Sequence, residues 1–226
     1  MIPALRPLAL LVGLTVILVA CAPTGTASQT PGEPSVVAGS PAAGVDCPTS
    51  EPAPLPAGES RNVTIKTDHG EILIHVEGAL SPIAAGNFVA LAECGFYDGV
   101  VFHRVVPGFV IQGGDGEFGR SPDIDPSLVG TGGPGYTITD EPVTATYARG
   151  IVAMARTQQP NSVGSQFFIV LDDEARTSLE AANTYQIIGA VATGMETADA
   201  IAEAADAEIP TDPVVMTDVS VTANVN

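Results

Sequence analysis

The sequence predicts a mainly β domain that folds as an antiparallel barrel. Short apolar runs, rich in β-branched and aromatic residues, recur at close spacing along the chain and read as strands. Only two stretches have the length and the end signals of a helix. Many short strands with few helices are typical of sandwiches and barrels, and 226 residues suffice for one such domain plus a tail.

The first predicted elements are a hairpin and a helix. Residues 62–67 and 71–76 alternate in polarity and flank a turn in which Gly70 supplies a positive φ. A helix follows over residues 81–94, with Ser81 as its N-cap and Pro82 in its first position. This helix should pack one apolar face on the sheet.

A second hairpin carries the most distinctive polar residues. Residues 101–106 and 109–112 are too short for helices and are separated by a Pro-Gly turn. Because the turn folds one strand back on the other, we expect Arg104 and Gln112 to lie close together. The remaining predicted elements are strands over residues 151–156, 166–171, 186–192 and 214–225 and a helix over residues 195–204.

The N-terminal part predicts export and membrane attachment. Residues 1–21 contain Arg6, an apolar run and a final Leu-Val-Ala-Cys, which resembles the leader of bacterial lipoproteins. That resemblance implies that Cys21 receives a lipid and becomes the mature N-terminus; an uncleaved anchor helix is the alternative. Residues 22–60 are rich in Pro, Gly, Ala, Ser and Thr, which predicts a disordered linker.

Charge and cysteine content restrict the partners. The chain has 8 basic and 26 acidic residues, and this excess of negative charge argues against nucleic acid and against anionic membrane surfaces. We therefore expect membrane contact only through the lipid anchor. The cysteines lack the C-x-x-C spacing of a zinc site, and no metal is predicted. Cys47 and Cys94 are left as a disulfide or as two free thiols, with neither alternative favoured.

Three motifs occur in a fixed order along the globular part. They are FHRVVPGFVIQGGD at residues 102–115, GIVAMAR at 150–156 and GSQFFIV at 164–170. Together they resemble the signature of the cyclophilin-type peptidyl-prolyl cis–trans isomerases. The resemblance extends from about Arg61 to about Val225, so residues 61–226 are the predicted domain. It implies a closed eight-stranded barrel capped by two helices, and rotation about X–Pro bonds without metal or cofactor.

The resemblance also assigns roles to the second hairpin. It implies that Arg104 donates to the prolyl nitrogen and that Gln112 binds the substrate backbone and helps to hold Arg104. Phe109, Val110 and Phe168 match the pocket that receives the proline ring, with Val110 in place of the usual methionine. For Arg104 the alternative is a surface ion pair. His103 should point away from the pocket, because neighbouring strand residues face opposite ways.

Other residues of the resemblance depart further from the family. Ala155 and Arg156 match a pair whose backbone binds the substrate, but Arg156 replaces an asparagine. Leu179 and Tyr185 stand where the family has a leucine and a histidine, and the tryptophan usual before them is absent, since the chain has none. That absence predicts weak inhibition by cyclosporin.

The function predicted from these observations is catalysis of X–Pro isomerisation at the cell envelope. The substrates would be exported polypeptides that contain proline, and the enzyme would be a lipid-anchored, extracytoplasmic monomer. Two other functions compete with it. The first is a non-catalytic proline-peptide binding module or chaperone on the same scaffold. The second is a structural lipoprotein of the envelope, which would not account for the motifs.

Overall fold

The computed structural model describes residues 46–223 of the chain. Within this range it contains eight β-strands, three α-helices and one turn of 3-10 helix at Asp173–Ala175. In chain order they are β1 Ser60–Thr67, β2 Gly70–Glu77, α1 Pro82–Glu93, β3 Arg104–Val106, β4 Val110–Gly113, β5 Ile151–Met154, β6 Phe167–Val170, α2 Arg176–Ala182, β7 Ile187–Thr193, α3 Met195–Ala204 and β8 Asp218–Ala223. None of the helices in this range is long and apolar enough to span a bilayer.

The strands form one antiparallel sheet in the order β3-β4-β6-β5-β7-β2-β1-β8. The predicted mainly β, eight-stranded antiparallel architecture is therefore confirmed. The two edge strands, β3 and β8, do not pair with each other as strands. Closure of the barrel stays a prediction.

Side chains alternate between the two faces of this sheet, and the two faces bury different clusters. We call the first the core face; it carries the larger hydrophobic cluster. The second, the site face, carries a smaller cluster on the central strands. Alternation decides this division, because residues that pair directly across neighbouring strands share a face. The core-face residues of β3 to β6 are Val105, Ile111, Val152, Met154, Phe167 and Ile169.

Helix α1 begins and ends close to the predicted bounds, but its N-terminus is capped differently. The side chain of Ser81 makes no capping hydrogen bond. The carboxylate of Glu141 instead accepts from the backbone N–H groups of Ile83 and Ala84, at 2.9 Å each. A carboxylate at this end also interacts favourably with the helix dipole. The cap thus comes from a residue distant in sequence, which local patterns cannot reveal.

Two expectations about the secondary structure are wrong. A third helix, α2, forms where only two were expected, because Asp172 caps the 3-10 turn that leads into it. The strands expected over residues 101–106 and 214–225 are shorter, since β3 begins at Arg104 and β8 at Asp218. Residues 99–102 and 214–216 are extended against each other by hydrogen bonds outside the named strands, including Phe102 N–H to Val214 O at 2.9 Å.

Residues 46–59 of the predicted linker lie against the folded unit. Cys47 and Cys94 form a disulfide at the end of α1. Leu55 is buried, and its N–H donates to the carbonyl of Pro82 at 2.9 Å. The helix accommodates this arm through Gly86, where any side chain would overlap the backbone of residues 53–55. The prediction of a disordered linker is therefore wrong for residues 46–59. The folded part of the chain begins before residue 61. The leader, Cys21 and residues 22–45 lie outside the described residues.

Candidate functional site

The second hairpin places Arg104 directly opposite Gln112. Strands β3 and β4 pair in the register Arg104 with Gln112 and Val106 with Val110. The turn between them requires Gly108, whose φ is 71°. Because directly opposed residues share a face, the arginine and the glutamine stand side by side on the site face. The proximity predicted from the turn is confirmed.

The register extends this pair into a row across the sheet. Gln112 of β4 is opposite Phe168 of β6, and Phe168 is opposite Ala153 of β5. Arg104, Gln112, Phe168 and Ala153 therefore follow one another on the site face. A guanidinium, an amide and an aromatic ring are thus aligned across three neighbouring strands, β3, β4 and β6.

Arg104 is held by an acidic residue from the segment between α3 and β8. Its Nε donates to Oε1 of Glu208 at 2.8 Å, and the arginine side chain is 34% exposed. The backbone carbonyl of Glu208 also accepts from Val105 N–H at 2.8 Å, which fixes this segment beside β3. The hydrogen bond uses Nε, which leaves the donors of the two terminal Nη groups for other partners. The ion pair expected as the alternative for Arg104 is therefore present, and an exposed pair of this kind adds little stability.

Gln112 is held by a second glutamine that the motif analysis did not single out. Its Nε2 donates to Oε1 of Gln166 at 3.0 Å. Nε2 of Gln166 in turn donates to the carbonyls of Gly130 and Gly132, at 2.9 and 2.8 Å. Gln166 thus links the site face to the loop after β4. Gln166 lies within the GSQFFIV motif, and its place in this motif is the sequence signal that could have identified it as a site residue.

That loop is organised by a buried carboxylate. Asp115 is inaccessible to solvent and accepts four backbone N–H groups. The donors lie on both sides of the loop and are Glu117, Phe118, Gly130 and Gly132, at 2.7–3.1 Å. A carboxylate that accepts several N–H groups is well suited to pin an irregular loop. Asp115 is the last residue of the first motif, but the sequence alone does not indicate its role.

The predicted apolar pocket residues lie together in the cluster on the site face. Val110, Phe168 and Leu179 are only 2–4% exposed and form a packed floor, which we call the apolar floor. Phe109 and Tyr185 are half-buried against it. The rings of Phe168 and Tyr185 meet edge to face, with centroids 5.4 Å apart. The structure therefore brings together all five residues of this predicted set.

Tyr185 is fixed by a tyrosine that the sequence analysis did not identify. The hydroxyl of Tyr147 donates to the carbonyl of Tyr185 at 2.8 Å and accepts from its N–H at 3.1 Å. Tyr147 is buried, and burial raises the pKa of its hydroxyl to about 12. The phenol is therefore neutral at physiological pH and able to donate. No local pattern marks this residue, because its partner lies 38 positions away.

Ala155 and Arg156 lie near the site, but the structure restricts the roles predicted for them. The backbone N–H of Ala155 donates to the carbonyl of Gln166 at 2.8 Å, so this N–H is occupied within the protein. The side chain of Arg156 pairs with Asp140 at 2.9 Å and donates to the carbonyls of residues 157 and 159. Only 9% of the Arg156 side chain is exposed, and its guanidinium stabilises the surrounding loop.

A cleft of about 640 Å³ adjoins the row of site residues. Gln112, Gln166, Ala155 and Arg156 line it, together with the glycine-rich loop 130–137. Arg104 and the residues of the apolar floor are not part of its lining. His103 lines a different cavity, as expected for a residue that faces away from Arg104. Within residues 46–223, no group of three or more His, Cys, Asp or Glu side chains is placed to hold a metal.

The whole domain matches one family model. Residues 62–221 match the model described as cyclophilin type peptidyl-prolyl cis–trans isomerase/CLD. This chain belongs to the cyclophilin-type peptidyl-prolyl cis–trans isomerases. The sequence-based identification is thereby confirmed, and the family is one of isomerases.

Curated relatives of this cyclophilin carry the same activity in their names. A probable peptidyl-prolyl cis–trans isomerase of Brucella abortus is 37% identical over 154 residues, which is 67% of this chain and 76% of the relative. Peptidyl-prolyl cis–trans isomerase A of Dickeya dadantii is 36% identical over 148 residues, which is 65% of this chain and 74% of that protein. Similarity of this extent supports an enzyme of the same class.

Solved structures agree with the sequence matches. A cyclophilin-type isomerase of Cryptosporidium parvum superposes with a TM-score of 0.60 at 30% identity, covering 74% of this chain and 99% of that one. The same protein in the presence of the dipeptide Ala-Pro superposes with a TM-score of 0.59 at 31% identity, covering 72% and 99% of the two chains. The fold of this cyclophilin is therefore that of its family.

Proposed function

We propose that this cyclophilin accelerates X–Pro isomerisation by hydrogen-bond donation from Arg104 to the prolyl nitrogen. The observation that carries the proposal is the row in which Arg104, Gln112 and Phe168 stand side by side on one face. A cationic donor, a peptide-binding amide and an apolar surface are thereby available to one proline residue.

The chemistry needs no nucleophile. The peptide bond resists rotation, with a barrier of roughly 18–20 kcal/mol, because the nitrogen lone pair is delocalised into the carbonyl. In the twisted transition state that lone pair is localised on nitrogen. A donor aimed at the nitrogen stabilises the twisted state more than either planar state, which is the requirement for catalysis.

The other residues of the site would bind and orient the substrate. The proline ring packs on the apolar floor, between Phe109 and Tyr185. Gln112 binds the substrate backbone, and Gln166 keeps that amide in place. Glu208 accepts from Nε of Arg104, and the Nη groups would donate to the substrate. A guanidinium suits this task because it stays charged and offers several donors in a rigid fork.

An activity assay on the purified full-length chain tests this proposal. The wild type should isomerise a short X–Pro peptide well above the uncatalysed rate, and Arg104→Ala should reduce kcat/KM roughly 100- to 1,000-fold. Arg61→Ala is a matched control, because Arg61 is also a half-buried, ion-paired arginine but lies on β1. It should keep wild-type activity. Equal losses in both variants would overturn the assignment of Arg104.

A non-catalytic binding module or chaperone on this scaffold remains the second candidate. One observation favours it: Tyr185 stands where the family has histidine. A wild-type chain that binds proline peptides but leaves their isomerisation rate at background would establish this alternative in place of the enzyme.

We also infer that the sheet closes into a barrel between β3 and β8. The supporting contacts are Phe102 N–H to Val214 O at 2.9 Å, Met216 N–H to Val100 O at 2.8 Å and the bridge between Val101 and Val215. Amide hydrogen exchange tests the closure. The N–H groups of Phe102 and Met216 should exchange as slowly as those of β4, and rapid exchange at both would indicate an open sheet.

The cellular role that fits this enzyme is folding of exported proteins near a membrane. Support comes from the lipoprotein-like leader that ends at Cys21, and from the Cys47–Cys94 disulfide, which suits an oxidising compartment. The lipid would tether the domain outside the cytoplasm, and X–Pro isomerisation is slow enough to be a rate-limiting step in the folding of exported chains. Fatty-acid labelling of the wild type that disappears in Cys21→Ala supports the tether. Labelling of both, or of neither, refutes it.

A further inference from the structure

A second cavity lies beside the hairpin, away from the glycine-rich cleft. It has a volume of about 390 Å³ and runs between residues 124–129 and 209–213; we call it the lateral cavity. Apart from His103 and Thr211, its lining is apolar and consists of Ile124, Pro126, Val129, Ile209, Pro210 and Pro213. Concave, mostly apolar sites of this size are typical of ligand pockets.

The walls of the lateral cavity are ordered by local hydrogen bonds. Asp125 accepts from the N–H and the hydroxyl of Ser127, at 2.9 and 2.6 Å. Asp206 accepts from the N–H of Thr211 at 3.0 Å. At one side, burial lowers the pKa of His103, so its imidazole is neutral at physiological pH. The cavity is therefore preformed and presents an uncharged wall to an occupant.

Ile209 is the open part of this lining. Among residues 46–223, the large apolar side chains recorded as exposed are Ile209, at 57%, and Leu128, at 41%. Single exposed apolar side chains are common, but Ile209 is exposed on the wall of an apolar cavity. An apolar side chain that entered the cavity would cover it.

Two segments of the chain connect the lining of the lateral cavity to the proposed active site. His103 precedes Arg104 in the chain, and Ile209 follows Glu208, whose carboxylate holds Arg104 at 2.8 Å. From the bond lengths of this connection, Ile209 lies roughly 10 Å from the guanidinium. An extended peptide spans that distance with about three residues. A polypeptide bound through its proline can therefore reach the cavity.

The two segments that line the cavity are acidic. Asp123 and Asp125 adjoin the lining residue Ile124 in sequence, and Glu208 and Asp212 adjoin lining residues 209–213, with Asp206 bound to Thr211. Neither residues 121–130 nor residues 205–213 contain a lysine or an arginine. An occupant with basic residues next to its apolar side chain would match this charge, whereas an acidic one would be repelled.

We propose that the lateral cavity is a specificity subsite that takes an apolar side chain, flanked by a basic residue, from the same polypeptide whose proline lies at Arg104. The proposal rests on the proposed isomerase function, because it places the proline at that arginine. It predicts selection of clients by a residue about three positions from the proline.

Matched peptides test the subsite. One set carries Leu-Lys at two, three or four positions before or after a common X–Pro bond, and the control set carries Ser-Lys there. For the full-length wild type, kcat/KM should be about tenfold higher with leucine at one of these positions. Ile209→Ser should reduce this leucine-to-serine ratio to about one. Leu128→Ser should keep it, because Leu128 is also exposed, at 41%, but does not line the cavity. The ratio cancels any change in the folded fraction.

The remaining outcomes are decisive as well. No leucine preference at any position, or the same loss in Leu128→Ser as in Ile209→Ser, would overturn the subsite. Replacement of the flanking lysine by glutamate should lower the preference, and added salt should reduce that difference. If the wild type isomerises none of the peptides, the proposed function fails. Calorimetric binding of the leucine and serine peptides then tests the subsite separately, with equal affinities counting against it.

Discussion

The two faces of strand β4 differ in what they contribute to the molecule. Ile111 points to the core face and is fully buried in the larger hydrophobic cluster. Its neighbour Gln112 points to the site face, where it contacts Gln166 and stands opposite Arg104. The same contrast holds on β6, between Ile169 and Phe168.

This contrast shows how one strand serves two purposes. Alternation fixes which side chains pack on the core face, and the residues between them are free to carry polar groups. A one-residue shift in register would exchange the two sets, so the packing of the core face also sets the position of the site. Substitutions on the two faces should therefore have separable effects.

The largest expected effect is on stability, from the core face. Ile111→Ala should lower the free energy of unfolding by about 2–5 kcal/mol, because it removes buried methyl groups and leaves a cavity. Gln112→Ala should lower it by less than about 1.5 kcal/mol and should reduce kcat/KM roughly tenfold or more. Chemical denaturation and the X–Pro assay measure both quantities. A stable Ile111→Ala, or a fully active Gln112→Ala, would contradict the division between the faces.

A smaller effect on stability is expected from Arg156, which lines the cleft. Arg156→Met should cost about 1–3 kcal/mol, since it leaves Asp140 and two loop carbonyls without their charged donor. Activity per folded molecule should stay near that of the wild type. If denaturation shows no loss while kcat/KM falls, then Arg156 contacts the substrate and belongs with the functional residues of the site face.

The smallest effect concerns Tyr147 and depends on pH. An unfolded tyrosine ionises near pH 10, but burial raises the pKa of Tyr147 to about 12. The folded state therefore binds this proton more tightly, and the resulting stability is present below about pH 10 and is lost as the pH rises to about 12.

Tyr147→Phe isolates this contribution from that of the other buried tyrosines. Burial raises the pKa of Tyr97 and Tyr136 as well, so the wild type should lose stability over this pH range for several reasons. The variant should lose less stability than the wild type between pH 10 and 12, as measured by denaturation at each pH. Identical slopes would mean that Tyr147 ionises in the folded state as readily as in the unfolded chain.

The sequence predicted the hairpins, α1, α3 and the pairing of Arg104 with Gln112, because these follow from alternation, turn residues and caps. It also led to the family, because the motifs are long and ordered. Helix α2 was missed, since it forms beside an apolar surface that only the folded sheet provides. The capping of α1 by Glu141 and the support of Tyr185 by Tyr147 were missed for a related reason: both join residues far apart in sequence.

The boundary of the folded part was also hard to predict. Residues 46–59 have the composition of a linker, yet a disulfide and the close approach to Gly86 attach them to α1. Composition reports on whether a segment can fold alone, and this segment is ordered by contacts with another. In the site, Gln166 and Asp115 lay inside the quoted motifs, but only their hydrogen bonds reveal what they hold.

The central claim is that Arg104 acts on the twisted peptide bond rather than on substrate binding alone. Exchange spectroscopy on a saturated complex of the full-length chain with an X–Pro peptide measures cis–trans interconversion on the enzyme, and titration gives the affinity. The account predicts that Arg104→Ala slows interconversion roughly 100- to 1,000-fold, while the affinity changes by less than about threefold. Interconversion at the wild-type rate in Arg104→Ala, or a loss confined to affinity, would contradict it.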